Sequence, residues 1–178
     1  GPRPRMAWLD YGEAYFRIAH DSARPFVVMA KGRRVVDLGT EFLVKADDKR
    51  LEVALVAGRA QIDSPQDPSQ EPAVLTPGDV AIATATAISV TPQSTKTLAD
   101  AMAWRQGVLV FKFATLADAA AEFNRYNTRK IVIADSASAK LTIVGTFPSN
   151  DVTAFTDAAQ AIFGLKIRNS ATTVTITR

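Results

Sequence analysis

At 178 residues the chain can form one ordinary domain or two small ones. With 47% hydrophobic and 22% charged residues it has a globular composition, which argues against a disordered, collagenous or coiled-coil chain. The net charge of +3 is a modest excess with no concentrated basic tract, poor ground for nucleic-acid binding. The absence of cysteine excludes disulfides, thiolate zinc sites and cysteine nucleophiles, and is compatible with an oxidising compartment. No apolar run approaches the roughly 20 residues of a membrane span, and no signal-peptide apolar stretch opens the sequence. Gly1-Pro2 has the look of a protease-cleavage scar.

Up to about residue 95 apolar residues alternate, and one pattern occurs three times: Leu, two residues, Gly, then apolar residues at every second position. It reads Leu9, Gly12, Ala14, Phe16, Ile18, then Leu55, Gly58, Ala60, Ile62, then Leu75, Gly78, Val80, Ile82. The pattern predicts a tight turn feeding a half-buried strand, because glycine tolerates the positive φ that a turn demands. Phe26 to Met29, Arg34 to Leu38, Glu41 to Lys45 and Leu51 to Val56 also read as strands. Asp63 to Pro72 holds three prolines and reads as an exposed loop, and the polar stretch Thr91 to Thr97 ends the β region.

From Trp104 the period changes. Strands are expected at Val108 to Phe113, Ile131 to Ala134 and Leu141 to Phe147, with a hairpin from Leu165 to Thr177. One helix starts at a Thr115/Asp118 capping pair; a second lies between an N-cap offered by Ser149-Asn150-Asp151 and a Gly164 stop. The expected fold class is therefore β plus α/β in two domains. A repeat-containing β-meander or solenoid-like domain, 1–95, precedes a linker, 96–103, and a β-α-β-β-α-β-β domain, 104–178, whose helices cover a small mixed sheet. Residues 1–104 carry 12 basic and 13 acidic side chains and residues 105–178 carry 9 and 5, so the positive excess belongs to the second domain.

The chemistry is sparse. His20 is the only histidine and reads better as a turn residue than as a catalyst. Asp47 and Asp48, next to Lys49 and Arg50, read as a solvated hairpin tip. Asp118 and Glu122 share a helix face, as a general acid and base would, yet helix-start charge explains them as well. No nucleophile elbow, phosphate loop or dinucleotide turn occurs, so no catalytic residue, cofactor or metal ligand is assigned. Arg125, Arg129 and Lys130 cluster at a helix end and are the candidate partner-binding residues, with dipole complementation the plainer reading. Trp104 and Arg105 mark the domain junction, where packing the two domains together is the favoured role.

Six short segments then appear in order: Gly12-Glu13-Ala14-Tyr15-Phe16, Arg24-Pro25-Phe26-Val27-Val28, Leu38-Gly39-Thr40-Glu41-Phe42, Ala57-Gly58-Arg59-Ala60, Trp104-Arg105-Gln106-Gly107 and Arg125-Tyr126. Together they closely resemble the FecR family of bacterial sigma-factor regulators, and the C-terminal part resembles a secretin/TonB short N-terminal domain. The resemblance implies the periplasmic sensor portion of an inner-membrane protein whose cytoplasmic segment holds a sigma factor. It implies a strand pair ahead of Gly12, hence an open edge at Arg3 to Asp10. It further implies, as partner, the signalling domain of an outer-membrane TonB-dependent transporter loaded with an iron-siderophore, controlling an extracytoplasmic-function sigma factor. A receiver of that kind needs a surface and no catalytic group; a sheet edge in the second domain, accepting a strand, is the expected means. A secretin-type structural module and a β-cleft enzyme are the alternatives.

Overall fold

The computed structural model describes residues 3–19, 21 and 23–178. His20 and the Gly1-Pro2 pair lie outside the described residues. The chain divides into two compact units, Gly1–Leu98 and Ala99–Arg178.

Among the described residues, the first unit holds ten strands: β1 (Arg5–Trp8), β2 (Gly12–Arg17), β3 (Phe26–Ala30), β4 (Arg33–Asp37), β5 (Glu41–Ala46), β6 (Leu51–Ala57), β7 (Ala60–Asp63), β8 (Ala73–Leu75), β9 (Asp79–Ala83) and β10 (Ile88–Pro92). They form two five-stranded sheets, ordered β1-β3-β4-β7-β8 and β10-β9-β6-β5-β2. One core joins them, with Val28, Val35, Ile62 and Leu75 from the first sheet meeting Phe42, Val44, Leu51, Val53 and Leu55 from the second. This is a two-sheet sandwich and not the expected meander or solenoid, because each sheet has one apolar face and the two faces bury each other. The residues Arg3 to Asp10 do not stand apart: β1 pairs in parallel with β3 and forms a sheet edge.

The repeated glycines have a definite place in this plan. Gly12 opens β2 after the turn from β1, Gly58 lies between β6 and β7, and Gly78 between β8 and β9, so each sits where the chain crosses from one sheet to the other. Their φ values, 109°, 85° and 99°, share the left-handed region that lets the backbone turn such a corner. A fourth corner, between β4 and β5, uses Gly39 (φ 97°). There the buried Asp37 accepts the Gly39 N–H at 3.0 Å and the Thr40 hydroxyl, and Leu38 N–H donates to the Arg59 carbonyl at 3.1 Å. The Gly39 and Gly58 corners touch: a Cβ on Gly58 would fall 2.0 Å from the Gly39 carbonyl oxygen.

Residues 96–103, expected as a linker, are mostly helical. Ser94 caps the segment by accepting the Thr97 N–H at 3.1 Å, α1 runs Thr95–Ala101, and a 3-10 turn, Ala103–Gln106, follows. The run Leu98-Ala99-Asp100-Ala101 favours helix, and the Ser-x-x-Thr start supplies its cap.

The second unit contains β11 (Val108–Thr115), α2 (Leu116–Tyr126), β12 (Lys130–Ile133), a short helix α3 (Ser136–Ala139), β13 (Thr142–Pro148), α4 (Val152–Phe163), β14 (Lys166–Asn169) and β15 (Thr173–Thr177). The strands form two sheets where one mixed sheet was expected: an antiparallel pair β11-β13 and a three-stranded sheet β12-β15-β14. Strands of both sheets carry buried apolar faces, and α2 and α4 pack between them. The shared core combines Leu109, Phe111 and Ile143 of one sheet, Phe123 and Phe155 of the helices, and Ile131, Val174 and Ile176 of the other sheet. The caps read from sequence are in place: Thr115 accepts the Asp118 N–H, Asp151 accepts the Ala154 N–H, and Gly164 ends α4 at φ 65°. The helix α3 had no expectation; Asp135 caps it by accepting the Ser138 N–H at 2.7 Å and the Ser138 hydroxyl at 2.8 Å. Among the described residues, no helix is long and apolar enough to cross a membrane.

Those two donors hold the Asp135 carboxyl down at about 2, below the ordinary 3.8, against a smaller opposing effect of desolvation. A carboxylate depressed in the folded state stabilises it above the unfolded pKa and loses that contribution as pH falls through the folded one. Acid titration of the wild type is expected to show a stability loss between pH 3.8 and about 2. Asp135→Asn flattens that limb, and equal pH profiles would contradict it.

Candidate interaction surface

The six segments of the sequence reading fall into two groups. Four assemble in the first unit. Phe16, from the first segment, stacks on Phe42 from the third at a centroid distance of 5.1 Å and meets Phe26 from the second at 5.6 Å. Glu41 accepts the Tyr15 hydroxyl at 2.6 Å and pairs with Arg17 at 2.6 Å. The fourth segment supplies Gly58 and the Arg59 carbonyl to the touching corners. These residues are framework: they fix strand register and corner shape, and their functional groups are satisfied by one another.

The fifth and sixth segments lie in the second unit. Trp104 packs against the core of that unit, and its buried indole N–H has no acceptor among the described residues. Arg105 is exposed on the same 3-10 turn. Arg125 pairs with Glu122 at 3.2 Å. Arg129, just ahead of β12, donates to the Asn169 side chain at the end of β14 at 2.7 Å. Lys130 donates to the Asn124 and Asn127 carbonyls, both at 2.6 Å, and so satisfies the C-terminal end of α2. The three candidate cations are thus near one another, and each also has a local structural bond.

The catalytic alternatives do not converge. Asp118 sits at the α2 cap, accepting the Thr115 hydroxyl at 2.7 Å, while Glu122 is held by Arg125 and Tyr126. A concavity at the β5-β6 hairpin is lined by Asp47, Asp48, Lys49 and Arg50. There desolvation acts to raise the Asp47 pKa, but the N–H bonds from Lys49 and Arg50, together with the Arg50 guanidinium, bring it below its ordinary value. That is a turn holding itself together. Among the described residues no group of three His, Cys, Asp or Glu side chains is arranged to hold a metal ion.

What the second unit does offer is open sheet surface. In β11 a register shift between Phe111 and Ala114 sets Phe113 at φ 56° and leaves it 78% exposed. Val144 on the partner strand is also exposed. Sequence alternation could not show this bulge, since Phe113 reads as one more apolar strand residue. Phe113→Gly is expected to raise stability by about 1 kcal/mol, because left-handed backbone costs a bulky residue roughly that much and little burial is lost. Urea denaturation checks it; a clear loss would show that the ring is packed.

A two-unit, β-rich chain whose polar groups brace corners and helix ends, and whose open surface is sheet, is defined by its surfaces. Residues 2–61 match the family model described as FecR protein, so this part of the chain is similar to that family. No curated protein matches the chain. Two crystal structures of a candidate anti-sigma factor from Parabacteroides distasonis ATCC 8503, at 1.65 and 2.50 Å resolution, share the fold at TM-score 0.76 and 23% identity. The alignments cover 96% and 97% of this chain and 80% of each of those.

Proposed function

We propose that this chain is the signal-receiving region of a sigma-factor regulator. The observation that carries the reading is the FecR match over residues 2–61, with a fold shared across both units with a candidate anti-sigma factor. In this reading the second unit is a module of the secretin/TonB short N-terminal kind and binds the signalling domain of an outer-membrane TonB-dependent transporter. The chain lies in the periplasm, joined through a segment outside it to the inner membrane and to an extracytoplasmic-function sigma factor, and the signal is iron-siderophore uptake. Two sheets enclosing two helices support the assignment, since such a unit has outward sheet faces and edges to offer a partner. No catalytic group enters the mechanism.

The test is a sigma-dependent reporter in cells that carry the full-length regulator with residues 99–178 replaced by a flexible linker. The expected result is transcription that no longer responds to ferric siderophore, with regulator abundance unchanged. A response equal to wild type would overturn the reading.

A further inference from the structure

The second unit, Ala99–Arg178, has nine basic and six acidic side chains, and the structure shows where the imbalance lies. Five of the carboxylates are committed locally. Asp100 pairs with Lys112 at 2.6 Å and Glu122 with Arg125; Asp118, Asp135 and Asp151 serve the starts of α2, α3 and α4. The sixth, Asp157, is exposed on α4. None lies on the three-stranded sheet β12-β15-β14.

Pairing fixes what that sheet shows outward. Ile131, Val174 and Ile176 point into the core with the helices, so the alternate residues form the opposite face. Across it the register sets Lys130 beside Thr173, Thr175 between Val132 and Arg168, and Thr177 beside Lys166. Lys130, Lys166 and Arg168 are exposed, and Val132 is 43% exposed. Lys166 and Arg168 have no ion-pair partner among the described residues. Lys130 is drawn to the end of α2 by its bonds to the Asn124 and Asn127 carbonyls, and edge protection accounts for one cation on an edge strand, but not for two unpaired cations, Lys166 and Arg168, beside a threonine row on a face with no carboxylate.

We propose that this face docks an acidic surface of a protein partner. It refines the receiver reading above by naming the surface and the chemistry it takes. The cations supply complementary charge at the rim, the threonine hydroxyls supply neutral hydrogen-bonding groups, and Val132 gives a small apolar centre. A protein partner fits better than single-stranded nucleic acid, because the face carries no aromatic side chain on which a base could stack. It fits better than an anionic membrane, which takes clusters of 4–8 basic residues.

Amide chemical-shift mapping of the whole chain, titrated with a deca-glutamate peptide, tests this directly. The expected shifts concentrate in β12, β14 and β15, and the peptide binds Lys166→Glu/Arg168→Glu about tenfold more weakly, while Lys140→Glu binds as wild type does. The milder Lys166→Gln/Arg168→Gln pair is expected to weaken binding in the same direction, and each variant's own spectrum reports its fold. Shifts centred elsewhere, or unchanged binding by the folded variants, would overturn the proposal. A stronger response to oligothymidylate or to phosphatidylglycerol vesicles at equal charge concentration would overturn the choice of a protein partner. A transporter signalling domain that fails to bind, alongside a positive peptide map, would remove the partner's identity and leave the face standing.

Discussion

Gly58→Ala is expected to cost about 3–5 kcal/mol, at the upper end of single-substitution effects. Two causes add. The residue holds φ 85°, and its new methyl would lie 2.0 Å from the Gly39 carbonyl oxygen and 3.0 Å from the Thr40 Cα. Those are backbone atoms of a corner that Asp37 already ties down, so neither can yield as a flexible side chain would. Gly32→Ala is the control: φ is +72° there, but the nearest atom to a new methyl is a Gln66 side-chain oxygen at 3.9 Å. It is expected to cost only the left-handed backbone penalty, about 1–2 kcal/mol. Chemical denaturation of the two variants separates the causes, and equal losses would show that the corners do not press on each other.

Phe123→Ala is expected to cost about 3–5 kcal/mol, the usual range for emptying a buried aromatic site. Its ring is fully buried, 4.8 Å from Phe155 and 5.9 Å from Phe111. Three elements converge on it, so the space left cannot close by moving one side chain. Phe113→Ala, ten residues earlier, is expected to cost less than about 0.5 kcal/mol, because that ring is 78% exposed. Similar losses at the two positions would contradict the burial of Phe123 in the core and the exposure of Phe113 on the β11 bulge.

Much of this architecture was legible in the sequence. Period-2 patterns around Phe42, Val53 and Ile62 marked strands because each buries one face, and the caps at Thr115 and Asp151 marked helices because those side chains satisfy orphan N–H groups. The Leu-x-x-Gly repeat correctly signalled a shared turn geometry. It could not say that each turn changes sheets, because a corner between layers and a hairpin within a layer make the same local demand on φ. The helix at Thr95–Ala101 was missed because Ser94 to Thr97 reads as polar loop until its cap bond is seen. The split into two sheets beyond residue 104 depends on which strands pair at long range, and residues 108–115 and 142–148 carry no local mark of it.

The candidate surface was less legible. Net charge located the positive excess in the second half, and the cluster Arg125, Arg129, Lys130 looked like its centre. Those three prove tied to Glu122, Asn169 and the end of α2. Lys166 and Arg168, separated from them in sequence, reach the Lys130 face only through the register of β15 with both its neighbours.

Under the proposed function, this chain receives a transporter's signalling domain through its second unit. Isothermal calorimetry of the whole chain against that purified domain, at about 0.05 M and about 0.3 M salt, measures it most directly. The account predicts saturable binding that weakens as salt rises and is reduced by Lys166→Glu/Arg168→Glu. No binding at either salt, or binding indifferent both to salt and to that double substitution, would contradict it.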